Sequence, residues 1–121
     1  MTAEPGDGRA WVEVARRDDL GAGSGREFVH RGRAYAVFGV DDRAFVLAGT
    51  CPHQGARLAG GAVDPMGSTV TCPRRGCLRW RFDLATGRGV GLAVACATFP
   101  ARVVAGAVLA ALPEEGGSPG R

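Results

Sequence analysis

Two short segments hold the residues best suited to chemistry, Cys51-Pro52-His53 and Cys72-Pro73-Arg74-Arg75-Gly76-Cys77. A thiolate is a soft ligand and an imidazole a borderline one, so both residue types bind transition metals and zinc. With one residue between them, Cys51 and His53 can reach into a single space. The neighbouring Pro and Gly residues stiffen and turn the loops that carry these side chains. A second loop can then close the site from the opposite side, so that two loops clasp one metal centre. The plainer alternative is a buried thiol packed as a small hydrophobe beside a surface imidazole.

Other candidates carry less. His30 lies beside the Arg31-Gly32 turn with no ligand partner nearby in sequence, as expected of a solvated strand-end residue. Cys96 sits among Ala and Val and reads as core. Arg74, Arg75, Arg79 and Arg81 form a local basic cluster on the rim of the second loop. No Cys/His pair comes with an orienting carboxylate, and Asp18-Asp19 and Asp41-Asp42 read as turn acids, so no catalytic residue is assigned.

The loops need strands to hold them. Trp11 to Val14 alternates apolar and polar residues at period two. Arg26 to His30, Arg31-Gly32-Arg33 and Ala34 to Val40 read as strand, tight turn and strand. Ala44 to Ala48 leads into the first ligand segment, Ser68 to Thr71 into the second, and Trp80 to Phe82 leaves it. Ala101 to Val104 and Ala107 to Leu112 form a closing hairpin around Ala105-Gly106. Asp18 to Gly21 and Asp83 to Gly87 read as turns, and 91–97 as at most a helical turn opposed by its Val and Gly residues.

Composition agrees with an all-β chain. The 121 residues fit one domain, and 20 Gly with 7 Pro favour a loop-rich β protein over a helical bundle. The 15 basic residues, all Arg, exceed the 12 acidic ones by three and are spread along the chain, which argues against a nucleic-acid footprint. No apolar stretch approaches the roughly 20 residues of a membrane span, and the start lacks an export signal. The expectation is a soluble, cytoplasmic protein with no membrane partner. In a reducing compartment its 4 Cys favour metal or redox chemistry over disulfides.

The chain resembles the Rieske 2Fe-2S ferredoxins and the Rieske domains of ring-hydroxylating oxygenases, whose signature is Cys-x-His, a gap, then Cys-x-x-His-Gly. The resemblance runs from Trp11 to Leu112. Its landmarks, in the family's order, are Trp11-Val12-Glu13-Val14, Arg33 to Phe38, Cys51-Pro52-His53-Gln54-Gly55-Ala56-Arg57-Leu58, Phe82-Asp83-Leu84-Ala85-Thr86-Gly87 and Phe99-Pro100-Ala101-Arg102-Val103. It implies a Rieske-type antiparallel β-sandwich over 10–113 with a cluster-binding subdomain at about 49–83. The ends, 1–9 and 114–121, are expected to be flexible. By the same resemblance, Cys51 and Cys72 hold one iron of a 2Fe-2S cluster and His53 the other.

At the family's second His position stands Arg75, a cation with no lone pair to give. Anchoring on Phe82-Asp83 puts Leu78 there instead, so neither alignment restores a His. The fourth ligand is then Cys77, water or nothing. Cys51, His53, Cys72 and Cys77 together also satisfy a tetrahedral zinc count. The leading expectation is a one-electron carrier, the ferredoxin component of an oxygenase or reductase system, with a flavoprotein reductase or an oxygenase as redox partner. Such a carrier has no substrate pocket of its own, which leaves its status as an enzyme open. The alternatives are a cluster-free docking subunit and a zinc-stabilised Cys3His binding module.

Overall fold

The structure, a computed structural model, describes residues 9–20, 25–51, 56–64, 66, 68–73 and 80–113. Its strands are β1 (Arg9–Arg16), β2 (Gly25–His30), β3 (Arg33–Val40), β4 (Arg43–Ala48), β5 (Ala62–Asp64), β6 (Thr69–Thr71), β7 (Arg81–Asp83), β8 (Thr98–Phe99), β9 (Ala101–Val104) and β10 (Ala107–Pro113). All pairings are antiparallel. They build three sheets, in the orders β1-β10-β9, β2-β3-β4-β8 and β5-β6-β7. The all-β expectation holds. Among the described residues there is no α-helix, only two 3-10 turns at Arg17–Asp19 and Leu58–Gly60.

Two hairpins follow directly from their turn residues. Arg31 and Gly32 both have positive φ, 53° and 82°, and so do Ala105 and Gly106, at 50° and 83°. Two consecutive left-handed residues match the right-handed twist of the flanking strands, which sets the β2–β3 and β9–β10 registers. His30 accordingly pairs with Arg33, and Ala107 with Val104.

Within the β2-β3-β4-β8 sheet, the central strands β3 and β4 are buried on both faces. Side chains of a strand alternate between faces, and β3 divides its large residues accordingly. Tyr35 and Val37 join Val14, Val46, Val108 and Leu112 in a core against β1 and β10. Ala36, Phe38 and Val40 turn the other way, into a core with Leu58, Val70 and Phe82. The β3 run from Tyr35 to Val40 is therefore apolar without a break, as strands covered on both sides are.

Several expectations need adjusting. The predicted turn at Asp18–Gly21 starts one residue earlier, as the 3-10 turn at Arg17–Asp19, and Gly21 lies outside the described residues. β5 and β8 were not anticipated, because strands of three and two residues leave no periodic signal. Segment 91–97 makes no helical turn. Instead Gly89 N–H donates to Val94 O at 2.8 Å across a reversal in which Gly91 has φ 73°, and Arg88 bridges to Ala95. The expected flexible ends fall outside the described residues, apart from Arg9, which opens β1. No helix among the described residues is long and apolar enough to cross a membrane.

Candidate metal centre

Each of the two Cys-bearing segments is anchored by a backbone hydrogen bond from its cysteine. Cys51 N–H donates to Ala56 O at 2.8 Å, and Thr50 bridges to Arg57. Cys72 N–H donates to Trp80 O at 2.8 Å, just beyond the last β6–β7 pair, Thr71 with Arg81. Both cysteines thus have a satisfied backbone amide and a buried side chain. His53 lies in 52–55, and Arg75 and Cys77 in 74–79, all outside the described residues. The same holds for Arg74 and Arg79 of the basic cluster, whereas Arg81 is described and exposed.

The two loop roots converge. Cys51 is 1% and Cys72 4% exposed, and both belong to the core cluster that contains Leu58, Val70 and Phe82. Neither forms a disulfide. Trp80 stands edge-on to Phe82, with centroids 6.4 Å apart, and packs against that cluster. Two buried cysteines in one core cluster are a suitable donor set for one iron, because a thiolate buried among apolar groups finds its countercharge in a metal ion. Among the described residues no group of three or more His, Cys, Asp or Glu side chains is placed to hold a metal ion.

What holds the loops together is equally specific. The 3-10 turn at Leu58–Gly60 hangs from the β4 end through Leu58 N–H to Gly49 O at 3.0 Å, and Gly49 N–H in turn reaches Ala34 O on β3 at 2.9 Å. Arg57 donates from Nη1 to Glu27 Oε1 of β2 at 2.8 Å, tying the first loop to the central sheet. At the end of the turn, Gly61 packs against the β6 backbone beside Cys72. A Cβ there would collide with Thr71 O and come within 3.2 Å of Leu58 O. Gly61→Ala is therefore expected to push the two ligand loops apart and lower metal occupancy severalfold while the strands persist. Metal content beside the far-ultraviolet circular dichroism spectrum checks this, and unchanged occupancy would refute it.

Two further side chains find their places. His30 stacks on Phe28, with centroids 6.2 Å apart and planes 17° from parallel, so it packs on the β2 surface as a partly buried residue. Cys96 is buried as expected, but in the core cluster of Cys51 and Cys72. Burial, with the charge on Cys51 adding to it, pushes the Cys96 thiol up to about 12, so it stays protonated at neutral pH. Its place in the core cluster of Cys51 and Cys72 was missed because nothing in the Ala- and Val-rich sequence around it signals long-range contact.

This arrangement can be compared with known proteins. Residues 10–101 match the Rieske [2Fe-2S] domain. The chain belongs to the Rieske [2Fe-2S] domain family. Among solved structures it resembles the ferredoxin of carbazole 1,9a-dioxygenase from Nocardioides aromaticivorans IC177, with a TM-score of 0.75 and 26% identity, covering 85% of this chain and 97% of that one. It also resembles a chain in the complex of reduced oxygenase and oxidized ferredoxin in carbazole 1,9a-dioxygenase, with a TM-score of 0.69 and 30% identity, covering 84% of this chain and 92% of that one. A cholesterol 7-desaturase of Hemicentrotus pulcherrimus is 33% identical over 84 residues, which is 68% of this chain and 17% of the desaturase. The chain thus spans less than a fifth of that curated relative. As a Rieske protein it is an electron-transfer protein whose cofactor is a 2Fe-2S cluster.

Proposed function

We propose that this Rieske protein is the ferredoxin component of an oxygenase system, with Cys51 and Cys72 on one iron of its cluster and His53 on the other. The observation that carries the assignment is the burial of Cys51 and Cys72 in one core cluster, each anchored through its backbone amide. The family supplies His53 as the partner within the first loop. When bound, the cluster supplies a one-electron couple. The protein residues hold it, exclude water from its inner side and leave the loop tips to meet a partner. The cluster-binding subdomain is 49–83, framed by the β5-β6-β7 sheet and the turn at Leu58–Gly60.

The fourth ligand is Cys77, in place of the family's second His, where this chain has Arg75. Thiolates already hold the other iron, and a thiolate can take the position that a guanidinium cannot. Iron, acid-labile sulfide and zinc analysis of anaerobically purified protein tests the whole reading. Two irons and two sulfides per chain support it. Stoichiometric zinc would replace it with a zinc-stabilised module, and colourless protein without iron would replace it with a cluster-free docking subunit.

The partner is an oxygenase, as in the carbazole 1,9a-dioxygenase complex that this chain resembles in part, with a flavoprotein reductase upstream. Arg74, Arg75, Arg79 and Arg81 raise the local potential beside the second loop well above what a net charge of +3 implies. An acidic docking face is the complement. Because exposed charges are screened beyond about 8 Å at physiological ionic strength, electron transfer to the partner is expected to slow as salt rises. The double variant Arg79→Gln, Arg81→Gln should lower the association rate and flatten that salt dependence at unchanged metal content. Stopped-flow rates indifferent to both salt and the substitutions would show that these arginines are only a solvated face.

A further inference from the structure

A cleft opens where the β4–β8 ladder stops. Only Val46 and Leu47 of β4 pair with β8, opposite Phe99 and Thr98. Pro100 has no N–H with which to extend that ladder, and from Ala101 onward the chain pairs with β10 in another sheet. The first residues of β4 therefore run on past the end of β8. Arg43 and Phe45, with Leu84 and Ala85 of the turn after β7 and with Phe99 and Pro100, line a cleft of about 490 Å³. Neither Cys51 nor Cys72 is on its lining.

Its walls are held in place. Leu84 N–H donates to Ser68 O at 2.9 Å, and the Asp83 carboxylate accepts from the N–H groups of Ala85 and Thr86 at 2.8 and 3.0 Å. Phe99 stands edge-on to Tyr35, with centroids 5.1 Å apart. Phe45 belongs to the core that contains Cys51, whereas Phe99 packs against the core of Tyr35 and Val108, so the cleft lies at the sheet edge between the two layers. A preformed hollow of this kind needs little ordering when a ligand enters.

Arg43 is the one charged residue of the lining among the described residues. Its guanidinium carbon lies 5.0 Å from the centroid of the Phe45 ring, which sets the flat cation against an aromatic face. The ion pairs between described residues, Arg16 with Glu13 and Arg57 with Glu27, do not include it. Asp83, the acid beside the lining turn, is engaged by two backbone amides. A guanidinium presents a rigid fork of donors that matches a carboxylate. Sites for small molecules usually measure about 300–1,000 Å³ and combine apolar walls with a few polar groups, as this cleft does.

We propose that the cleft binds a small aromatic carboxylate, its carboxylate on the Arg43 guanidinium and its ring between Phe45, Leu84 and Phe99. The charge selects an anion. The apolar walls select one with a ring to bury, because the gain follows the apolar area taken from water. Binding is non-covalent, and it is independent of the cluster assignment made above.

The test is titration of the intact chain with sodium benzoate, read by isothermal titration calorimetry and by backbone amide shifts. Benzoate at millimolar concentration should shift the amides of 43–46, 84–85 and 98–101 before any others. Arg43→Gln should weaken binding about tenfold or more, because a charge-assisted hydrogen-bonded pair is lost, and Arg43→Lys should recover part of it. Benzamide, which keeps the shape without the charge, and acetate, which keeps the charge without the ring, should each bind about tenfold or more weakly than benzoate. Ala85→Leu fills the cleft from an exposed position and should abolish binding while the circular dichroism spectrum stays unchanged. Equal affinity in Arg43→Gln, equal affinity for acetate, or shifts spread over other arginines would show non-specific anion binding and overturn the proposal. A parent protein that gives neither heat nor shifts with millimolar benzoate would overturn it too, and each of these results leaves the cluster assignment standing.

Discussion

Replacing either proposed thiolate, as in Cys51→Ser or Cys72→Ser, is expected to leave less than about a tenth of the parent's iron and sulfide after anaerobic purification. Even changes that only touch the partners of metal ligands cost about 10–100-fold in metal affinity, and loss of a ligand itself is at least as severe. A serine hydroxyl is also a harder and much weaker acid than a thiol, so it makes a poor substitute on iron. Both cysteines are almost fully buried, which leaves little room for water to replace them. Cys77→Ser offers the sharper comparison. If Cys77 is the fourth ligand, its replacement should be as damaging as that of Cys51. Full occupancy in Cys77→Ser would remove it from the site, and full occupancy in both Cys51→Ser and Cys72→Ser would end the two-loop assignment.

The second large effect is structural. Phe82→Ala should lower stability by about 3–5 kcal/mol, the usual cost of truncating a buried phenylalanine. Phe82 has no exposed surface, pairs with Val70 in the β6–β7 ladder, and bridges to Gly89. It shares its core cluster with Cys51, Cys72 and Cys96. Natural domains hold only about 5–15 kcal/mol in reserve, so the loss is a large fraction of the total. Because this cluster holds both Cys51 and Cys72, metal retention should fall with stability. Urea unfolding of the metal-free protein measures the first, and iron content the second. A shift below about 1 kcal/mol would mean that the core closes over the gap and that Phe82 is not the anchor of this region.

Much of this was legible in the residues themselves. Arg31-Gly32 and Ala105-Gly106 announced two hairpins, since a glycine after a tight reversal accepts the positive φ that such turns require. The spacing of Cys51 and His53, with Cys72 downstream, announced ligand chemistry, and the ordered landmarks from Trp11 to Val103 pointed to the family that the match over 10–101 establishes. Two of the short strands were not legible. β5 and β8 are too brief for any periodicity, and each exists because a longer neighbour, β6 or β4, offers it a ladder.

The residue pattern alone therefore determined the hairpins around Arg31-Gly32 and Ala105-Gly106, and which side chains are able to bind metal, because those properties depend on dihedral preference and ligand chemistry close along the chain. Only the tertiary structure decided how they meet. Tyr35 and Val37 face one core while Ala36 and Phe38 face the other, a division that an unbroken apolar run cannot reveal until both neighbouring layers are in place. Cys51, Cys72 and Cys96 come together because β4, β6 and the Gly87 turn pack on one apolar floor. Burial of that floor, roughly proportional to the apolar area taken from water, has no counterpart in sequence spacing.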